Sequence, residues 1–167
     1  MTYNQDGVGM TGGHDIAMAL RAAYWAMHRE ADLLLKPYGI TADQFVLMSI
    51  IAECELPTQR ELVRRASSDP NTVRAMLLLL ERGALVVRRP HETDNRSRRV
   101  SLTDKGRKMY TKLWKKSQVF HERLLDAIGR PTATTFVQQL RSLETLRASQ
   151  QGSASEADAA AGRFNRS

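Results

Sequence analysis

The middle of the chain most constrains its fold, because signals that start and stop helices follow one another there in a fixed order. Thr58 and Glu61 have the spacing of a capping box, in which each side chain satisfies a backbone N–H group of the other residue. They predict the start of a short helix. Asp69 and Pro70 are a preferred cap and first residue for a second helix, and Gly83 predicts a left-handed residue at its C-terminal end. A tight turn is therefore expected between the two helices.

A β-hairpin is predicted directly after these helices. Leu85-Val86-Val87 has the composition of a strand, Arg98 to Leu102 has that of its partner, and a long polar loop separates them. A short helix, a tight turn, a second helix and a hairpin are the order of a winged helix-turn-helix. A helix fits the major groove of DNA, and an adjacent hairpin can place arginines against the backbone or in the minor groove. We therefore expect a winged helix-turn-helix lobe over about residues 41–103, whose first helix begins at a capping box formed by Thr41 and Gln44.

Long helices are predicted on both sides of this lobe. Apolar residues recur at helical spacing over about residues 15–36 and again over about 104–128, and a further helix follows. We expect one domain over residues 14–149, between an arm at 1–13 and a tail at 150–167 that are both too polar and small-residue-rich to order. The predicted fold class is mainly α with a small β-hairpin.

The basic charge of the chain is concentrated in and just after this lobe. Residues 58–116 hold sixteen basic and six acidic residues, whereas residues 1–57 hold three basic and seven acidic residues. Between Thr58 and Arg99 every basic residue is arginine, whose planar donor fork fits phosphate groups and guanine edges. Such a block usually faces nucleic acid or an anionic membrane surface, and a solvated basic face without a partner is the alternative.

Three stretches of the chain resemble the MarR family of bacterial transcription regulators. They are residues 39–45 (GITADQF), 80–86 (LERGALV) and 94–106 (DNRSRRVSLTDKG), and the last is the most specific. The resemblance covers about residues 15–148. It implies a homodimer, in which the helices at about 14–37 and 104–149 of the two chains interlock, and two wings that straddle a palindromic operator in duplex DNA.

The resemblance also assigns DNA contacts. Arg96 matches a wing-tip arginine that enters the minor groove, and Asp94 matches an aspartate that orients nearby arginines. Asn71, Thr72 and Arg74 match the groove-facing start of the recognition helix, although a serine is frequent in the family where this chain has Asn71, which leaves the operator sequence open. The predicted DNA-binding residues are Asn71, Thr72, Arg74, Arg88, Asp94, Arg96 and Arg98.

A small effector molecule is a further expectation from the resemblance, with repression relieved when the effector binds. The candidates for lining a pocket for a small aromatic or lipophilic ligand are Tyr24, Trp25, His28, Phe45 and Met48. The alternative is that these residues, which recur at helical spacing, pack into the core. Whether the protein represses or activates, and whether it has a ligand at all, stays open at this point.

The sequence carries no motif for catalysis or metal binding. It lacks a G-x-S-x-G, a P-loop, an H-E-x-x-H and a Rossmann glycine pattern, so no enzyme activity, cofactor or metal is expected. His121-Glu122 begins like a zinc-protease helix, but Leu125 stands where the second histidine is needed. A basic module that binds protein partners is the competing function, and the five arginines of the hairpin favour DNA over it.

The single cysteine and the ends of the chain bear on its compartment. Cys54 cannot form an internal disulfide, which fits a reducing compartment. Relatives that sense oxidants place their cysteine near the start of the first helix, whereas Cys54 ends the second, so we expect an inert thiol. No signal peptide, membrane span or membrane partner is indicated, and we expect a cytoplasmic protein.

Overall fold

The computed structural model describes residues 12–90 and 98–143. Along the chain these form α1 (Gly13–Leu35), a short 3-10 helix (Lys36–Tyr38), α2 (Ala42–Glu53), α3 (Gln59–Arg65), α4 (Pro70–Arg82), β1 (Val86–Pro90), β2 (Arg98–Leu102) and α5 (Asp104–Ile128). Residues 130–143 are helical and are called α6. The predicted class, mainly α with a β-hairpin, is confirmed. The predicted arm, tail and hairpin tip fall mostly or wholly on residues outside the described ranges.

The chain divides into two compact units within α5, at residues 118 and 119. The first unit holds the hydrophobic core, to which α2, α3, α4, both strands and the first half of α5 contribute. Its fully buried side chains are Leu35, Leu47, Met48, Leu62, Val73, Leu77, Leu80, Val100 and Leu113. In the second unit, Arg130 at the start of α6 forms ion pairs with Glu122 and Asp126 of α5.

Two capping boxes start α2 and α3 as the sequence predicts. At α2 the backbone N–H of Gln44 donates to Thr41 Oγ1 at 3.2 Å, and the backbone N–H of Thr41 donates to Gln44 Oε1 at 3.1 Å. At α3 the backbone N–H of Thr58 donates to Glu61 Oε2 at 2.6 Å. Hydrogen bonds from Thr58 lower the pKa of the Glu61 carboxyl, and the bond from the backbone N–H of Thr58 is the largest cause. Both helix starts are thus fixed locally, by residues three positions apart.

The end of α4 differs from the sequence prediction. Gly83 has a right-handed backbone (φ −72°), and the left-handed residue is Ala84 (φ 54°). The N–H of Ala84 bonds to the carbonyl of Glu81 at 2.9 Å, and the N–H of Leu85 bonds to that of Leu80 at 2.9 Å. This is the hydrogen-bond pattern of a Schellman motif with Ala84 in the position that usually holds glycine. The turn falls one residue late because Leu85, which is buried, then follows the helix directly into the core.

The stretch from Leu102 to Gly106 joins the hairpin to α5 by a close backbone contact. Thr103 Oγ1 donates to the carbonyl of Ala84 at 2.7 Å and accepts from the N–H of Gly106 at 2.9 Å, so it caps α5 and holds it to the end of α4. A Cβ on Gly106 would lie 1.9 Å from the carbonyl oxygen of Leu85. Only glycine therefore permits α5 to start at this distance from the chain before β1.

Candidate nucleic-acid interface

The start of α4 is fixed by its own cap. The Asp69 carboxylate accepts hydrogen bonds from the backbone N–H groups of Asn71 at 3.0 Å and Thr72 at 2.9 Å. A hydrogen bond from the Thr72 side chain is the largest cause of a lowered pKa of the Asp69 carboxyl, and these backbone bonds lower that pKa further. Pro70 occupies the first turn, where its missing N–H costs nothing. The first turn of α4 thus has a defined backbone from which its side chains project.

The predicted groove-facing residues all lie on the exposed side of α4. Asn71, Thr72 and Arg74 are exposed, whereas Val73 and Leu77 are buried in the core. The exposed side continues beyond them through Ala75, Leu78, Leu79 and Arg82. The helix therefore presents a complete outer face, about three turns long, of which the sequence prediction named only the first turn.

Helix α3 and the turn after it support this face from one side. Ser67 has a left-handed backbone (φ 49°), and the N–H of Ser68 bonds to the carbonyl of Val63 at 3.2 Å. This closes the tight turn that the sequence predicts between the two helices. Three arginines of α3 are exposed and add positive charge near α4, namely Arg60, Arg64 and Arg65.

An ion pair between Arg88 and Glu81 ties the hairpin to α4. The Arg88 guanidinium of β1 donates from Nε to both carboxylate oxygens of Glu81, at 3.1 and 3.2 Å. The pair is partly shielded from water, since the Arg88 side chain is 19% exposed and the Glu81 side chain is 33% exposed. Arg88 lowers the pKa of the Glu81 carboxyl, and Glu81 raises the pKa of Arg88. Arg88 therefore links wing and helix, and its DNA contact stays a prediction.

Other hairpin arginines point to solvent near the tip. Arg89 lies opposite Arg99 in the ladder, and Pro90 lies opposite Arg98, at the end of the hairpin that leads to the tip. Arg89 and Arg98 are both exposed. Val100 anchors the hairpin base, because it is buried and its N–H bonds to the carbonyl of Pro57 at 2.8 Å. Asp94 and Arg96 lie outside the described residues, so their roles stay predictions.

Three of the five candidate ligand residues form an aromatic cluster on α1. The ring centroids of Tyr24, Trp25 and His28 are 5.5 to 5.9 Å apart. The two nitrogens of His28 lie 3.4 Å from Asp32 Oδ2 and Asp43 Oδ1, and Asp43 belongs to α2. The cluster therefore combines exposed aromatic surface with a polar link between α1 and α2.

The other two candidates lie in α2 and differ from each other. Met48 is fully buried and belongs to the core, as the alternative reading of these residues expects. Phe45 is partly buried and its ring centroid lies 5.9 Å from that of Tyr110 in α5. A cavity of about 500 Å³ between α1 and the following loop is lined by other residues, among them Arg29, Asp32 and Ile40. The assignment of a ligand to the five residues stays a prediction.

Cys54 is a free, half-buried thiol at the end of α2 and lines a cavity of about 420 Å³ with Leu56 and Tyr110.

Within residues 12–90 and 98–143, no group of three histidine, cysteine or acidic side chains is arranged to hold a metal ion. In the same described ranges, no helix is both long and apolar enough to cross a membrane.

Two features of the interface were missing from the sequence prediction. The exposure of Leu78 and Leu79 could have been predicted from the sequence, because four consecutive leucines at 77–80 cannot all face the core of one amphipathic helix. The ion pair between Glu81 and Arg88 could not have been predicted from the sequence, since the two residues lie on different elements and meet only when the hairpin folds back on α4.

Comparison with known proteins was made by sequence and by structure. No family model matches the chain. It is 33% identical over 89 residues to the HTH-type transcriptional regulator SarZ of Staphylococcus epidermidis, a match to 53% of this chain and 60% of SarZ. The chain thus spans about three fifths of that relative. It is also 26% identical over 114 residues to an HTH-type transcriptional repressor of Mycobacterium tuberculosis, covering 68% of this chain and 82% of the repressor.

Solved structures share the fold over most of the chain. A MarR-family regulator from Rhodococcus has a TM-score of 0.72 at 20% identity, covering 81% of this chain and 97% of its own. The MepR–DNA complex of Staphylococcus aureus has a TM-score of 0.71 at 20% identity, covering 78% and 97%. NadR in complex with 4-hydroxyphenylacetate has a TM-score of 0.70 at 23% identity, covering 81% and 97%. The resemblance that the sequence motifs carry is confirmed: the chain has the winged helix-turn-helix fold of the MarR-family regulators and shares sequence with HTH-type transcription regulators.

Proposed function

We propose that this protein regulates transcription by binding duplex DNA sequence-specifically as a homodimer. The observation that carries the proposal is the exposed start of α4, where Asn71, Thr72 and Arg74 project from a helix whose first turn is capped by Asp69. A helix of this kind enters the major groove with its N-terminal residues against the bases. The segment around it, residues 58–116, holds sixteen basic against six acidic residues.

The wing supplies the second part of the proposed contact. Arg89 and Arg98 are exposed at the end of the hairpin that leads to its tip, and they extend the positive surface beside α4. The family resemblance adds Arg96 as the residue that enters the minor groove, where arginine is attracted by the negative potential of a narrow groove. MepR, which shares the fold of this chain, was solved as a complex with DNA.

Binding to selected DNA tests the proposal. Duplexes recovered by wild-type protein from a random-sequence library should contain a palindrome with half-sites about one helical turn apart. Arg74→Ala and Arg96→Ala should each weaken binding about tenfold or more. The matched control is Arg21→Ala, which removes an exposed arginine of α1. Affinity should fall with salt at a logarithmic slope of about −0.9 per neutralised phosphate. Failure of wild type to enrich or bind any duplex at low salt contradicts the proposal.

We further propose that the protein is a repressor released by a small aromatic or lipophilic ligand. Support comes from the exposed rings of Tyr24 and Trp25, from a relative named as a repressor and from NadR, which was solved with 4-hydroxyphenylacetate. Release requires that the ligand bind the DNA-free state more tightly than the DNA-bound state. Titration of the protein–operator complex with 4-hydroxyphenylacetate and salicylate measures this. Trp25→Ala, at a protein concentration where it is still dimeric and bound to the operator, should show a reduced response. Operator binding that neither compound weakens contradicts this part alone.

A further inference from the structure

The outer face of α4 changes character along its length. Leu77 and Leu80 are buried, but Leu78 is 36% exposed and Leu79 is 51% exposed. Burying a leucine is worth about 2 kcal/mol, so the two neighbouring leucines at the surface of this helix form an apolar patch whose covering would be favourable. Ala75 is exposed beside them.

The spacing of these residues places them in line with the polar start of the helix. Asn71, Arg74, Ala75 and Leu78 stand at i, i+3, i+4 and i+7, which is the spacing that a homeodomain helix uses to read bases in the major groove. Leu79 follows on the same exposed side. The hydrogen-bonding side chains come first along this face, and the apolar ones come after them.

The charge around the apolar residues points to a polyanion as the occupant. Arg74 and Arg82 lie on the same exposed face, before and after the leucines. The nearest carboxylate on α4, that of Glu81, is already engaged by Arg88. The apolar surface is therefore flanked by cations suited to phosphates, and it continues the polar face proposed to contact DNA.

Duplex DNA offers one apolar group in the major groove, the C5 methyl group of thymine. A leucine or alanine against any other base edge removes water from donors and acceptors without replacing their hydrogen bonds, which is unfavourable. Apolar side chains therefore select thymine, and they do so without a hydrogen-bond pattern of their own.

We propose that Ala75, Leu78 and Leu79 read thymine methyl groups, so that each operator half-site has A·T pairs beyond the base pairs contacted by Asn71, Thr72 and Arg74. This inference rests on the proposed function and narrows its substrate to one class of operator. The three residues act as specificity-determining residues, in addition to those that the sequence analysis named.

Base analogues test the proposal on the operator recovered from the random library. Replacing the half-site thymines by deoxyuridine removes only the methyl groups, and wild-type protein should lose about fourfold in affinity for each contacted methyl. Cytosine placed at the same positions should bind more weakly than 5-methylcytosine, which restores a methyl group there. Deoxyuridine outside the half-sites is the control and should leave affinity unchanged.

Variants assign the effect to the residues. For Leu78→Ala and Leu79→Ala, replacing thymine by deoxyuridine at the position that the leucine contacts should change the affinity less than twofold. Both variants should unfold at the wild-type temperature. Wild-type protein that binds both operators equally overturns the inference and leaves DNA binding intact. A wild-type protein that binds no duplex at all refutes the proposed function instead. Leucine variants that keep the full loss of affinity on deoxyuridine operators also overturn the inference. The leucines would then be assigned to contact with a protein partner.

Discussion

Helices α1 and α2 use their apolar residues in opposite ways. Of the 12 residues in α2, five are buried, whereas α1 has 23 residues and buries only Leu35. The apolar residues of α1 are instead exposed, among them Ile16, Met18, Tyr24, Trp25, Met27 and Leu33. The winged-helix lobe therefore has a core within one chain, and α1 has an apolar surface that is exposed among the described residues of one chain.

This difference separates two sources of stability. The lobe is stabilised by contacts that form when a single chain folds, and its free energy of unfolding should respond to changes in its own packing. An uncovered apolar surface of this size on a helix is typical of an interface. In the proposed dimer, a second copy covers the apolar surface of α1, so removing apolar side chains there should alter association rather than the fold of the lobe.

The largest expected effect is that of Gly106→Ala on the lobe. The added Cβ would overlap the backbone of Leu85, which cannot move without shifting the end of α4 and the start of β1. We expect a loss of about 3 kcal/mol in the free energy of unfolding. Chemical denaturation measures it. The matched control is Gly13→Ala in α1, whose Cβ would meet nothing within 4 Å and should leave stability unchanged or slightly raised. Equal stability of the two variants contradicts the close approach of α5.

The second effect concerns α1 alone. Trp25→Ala removes a ring that is 46% exposed in the single chain, and we expect the dimer dissociation constant to rise about thirtyfold, or about 2 kcal/mol. Sedimentation equilibrium gives the constant, and circular dichroism should show the lobe still folded. Arg21→Ala, on the same helix, should change neither. A wild-type protein that is monomeric at every concentration would show that α1 is not covered by a second copy.

The same division explains which parts the sequence could predict. Helix starts at Thr41, Thr58 and Asp69 depend on residues two or three positions away, and each is where the sequence places it. The predicted position of the left-handed residue at the end of α4 was wrong by one residue, because the burial of Leu85 decides where the turn falls. The role of Arg88 was not predictable, since its partner Glu81 is brought near only by the hairpin.

The third effect tests that long-range pair and depends on pH. Arg88 holds the folded-state pKa of Glu81 below its usual value of 4.5. The stability this contributes is therefore present above about pH 4.5 and is lost as the pH falls through the lowered pKa. Glu81→Gln should reduce the free energy of unfolding by about 1 kcal/mol at pH 7, and the two proteins should converge at low pH.

Denaturation of both proteins across this pH range provides the measurement. The control is Asp104→Asn, which removes the ion pair with Arg107; the Asp104 side chain is 88% exposed, so its loss should have little effect. A difference between wild type and Glu81→Gln that stays constant down to the lowest pH contradicts a charged pair as its cause.

The smallest effect sharpens the comparison at the end of α4, where the glycine stands one residue before the left-handed position. Ala84→Gly relieves the strain of a left-handed alanine, and Gly83→Ala places a Cβ at ordinary contact distances in a right-handed residue. Each change should stabilise the lobe by about 0.5 kcal/mol, and the two together by about 1 kcal/mol. Ala17→Gly in α1 should instead destabilise its helix by up to about 1 kcal/mol, because that alanine is in a regular helix. Thermal unfolding of the three single variants and the double variant measures this. A destabilised Ala84→Gly would mean that the extra backbone entropy of glycine in the unfolded chain exceeds the strain of the left-handed alanine, and would contradict this prediction.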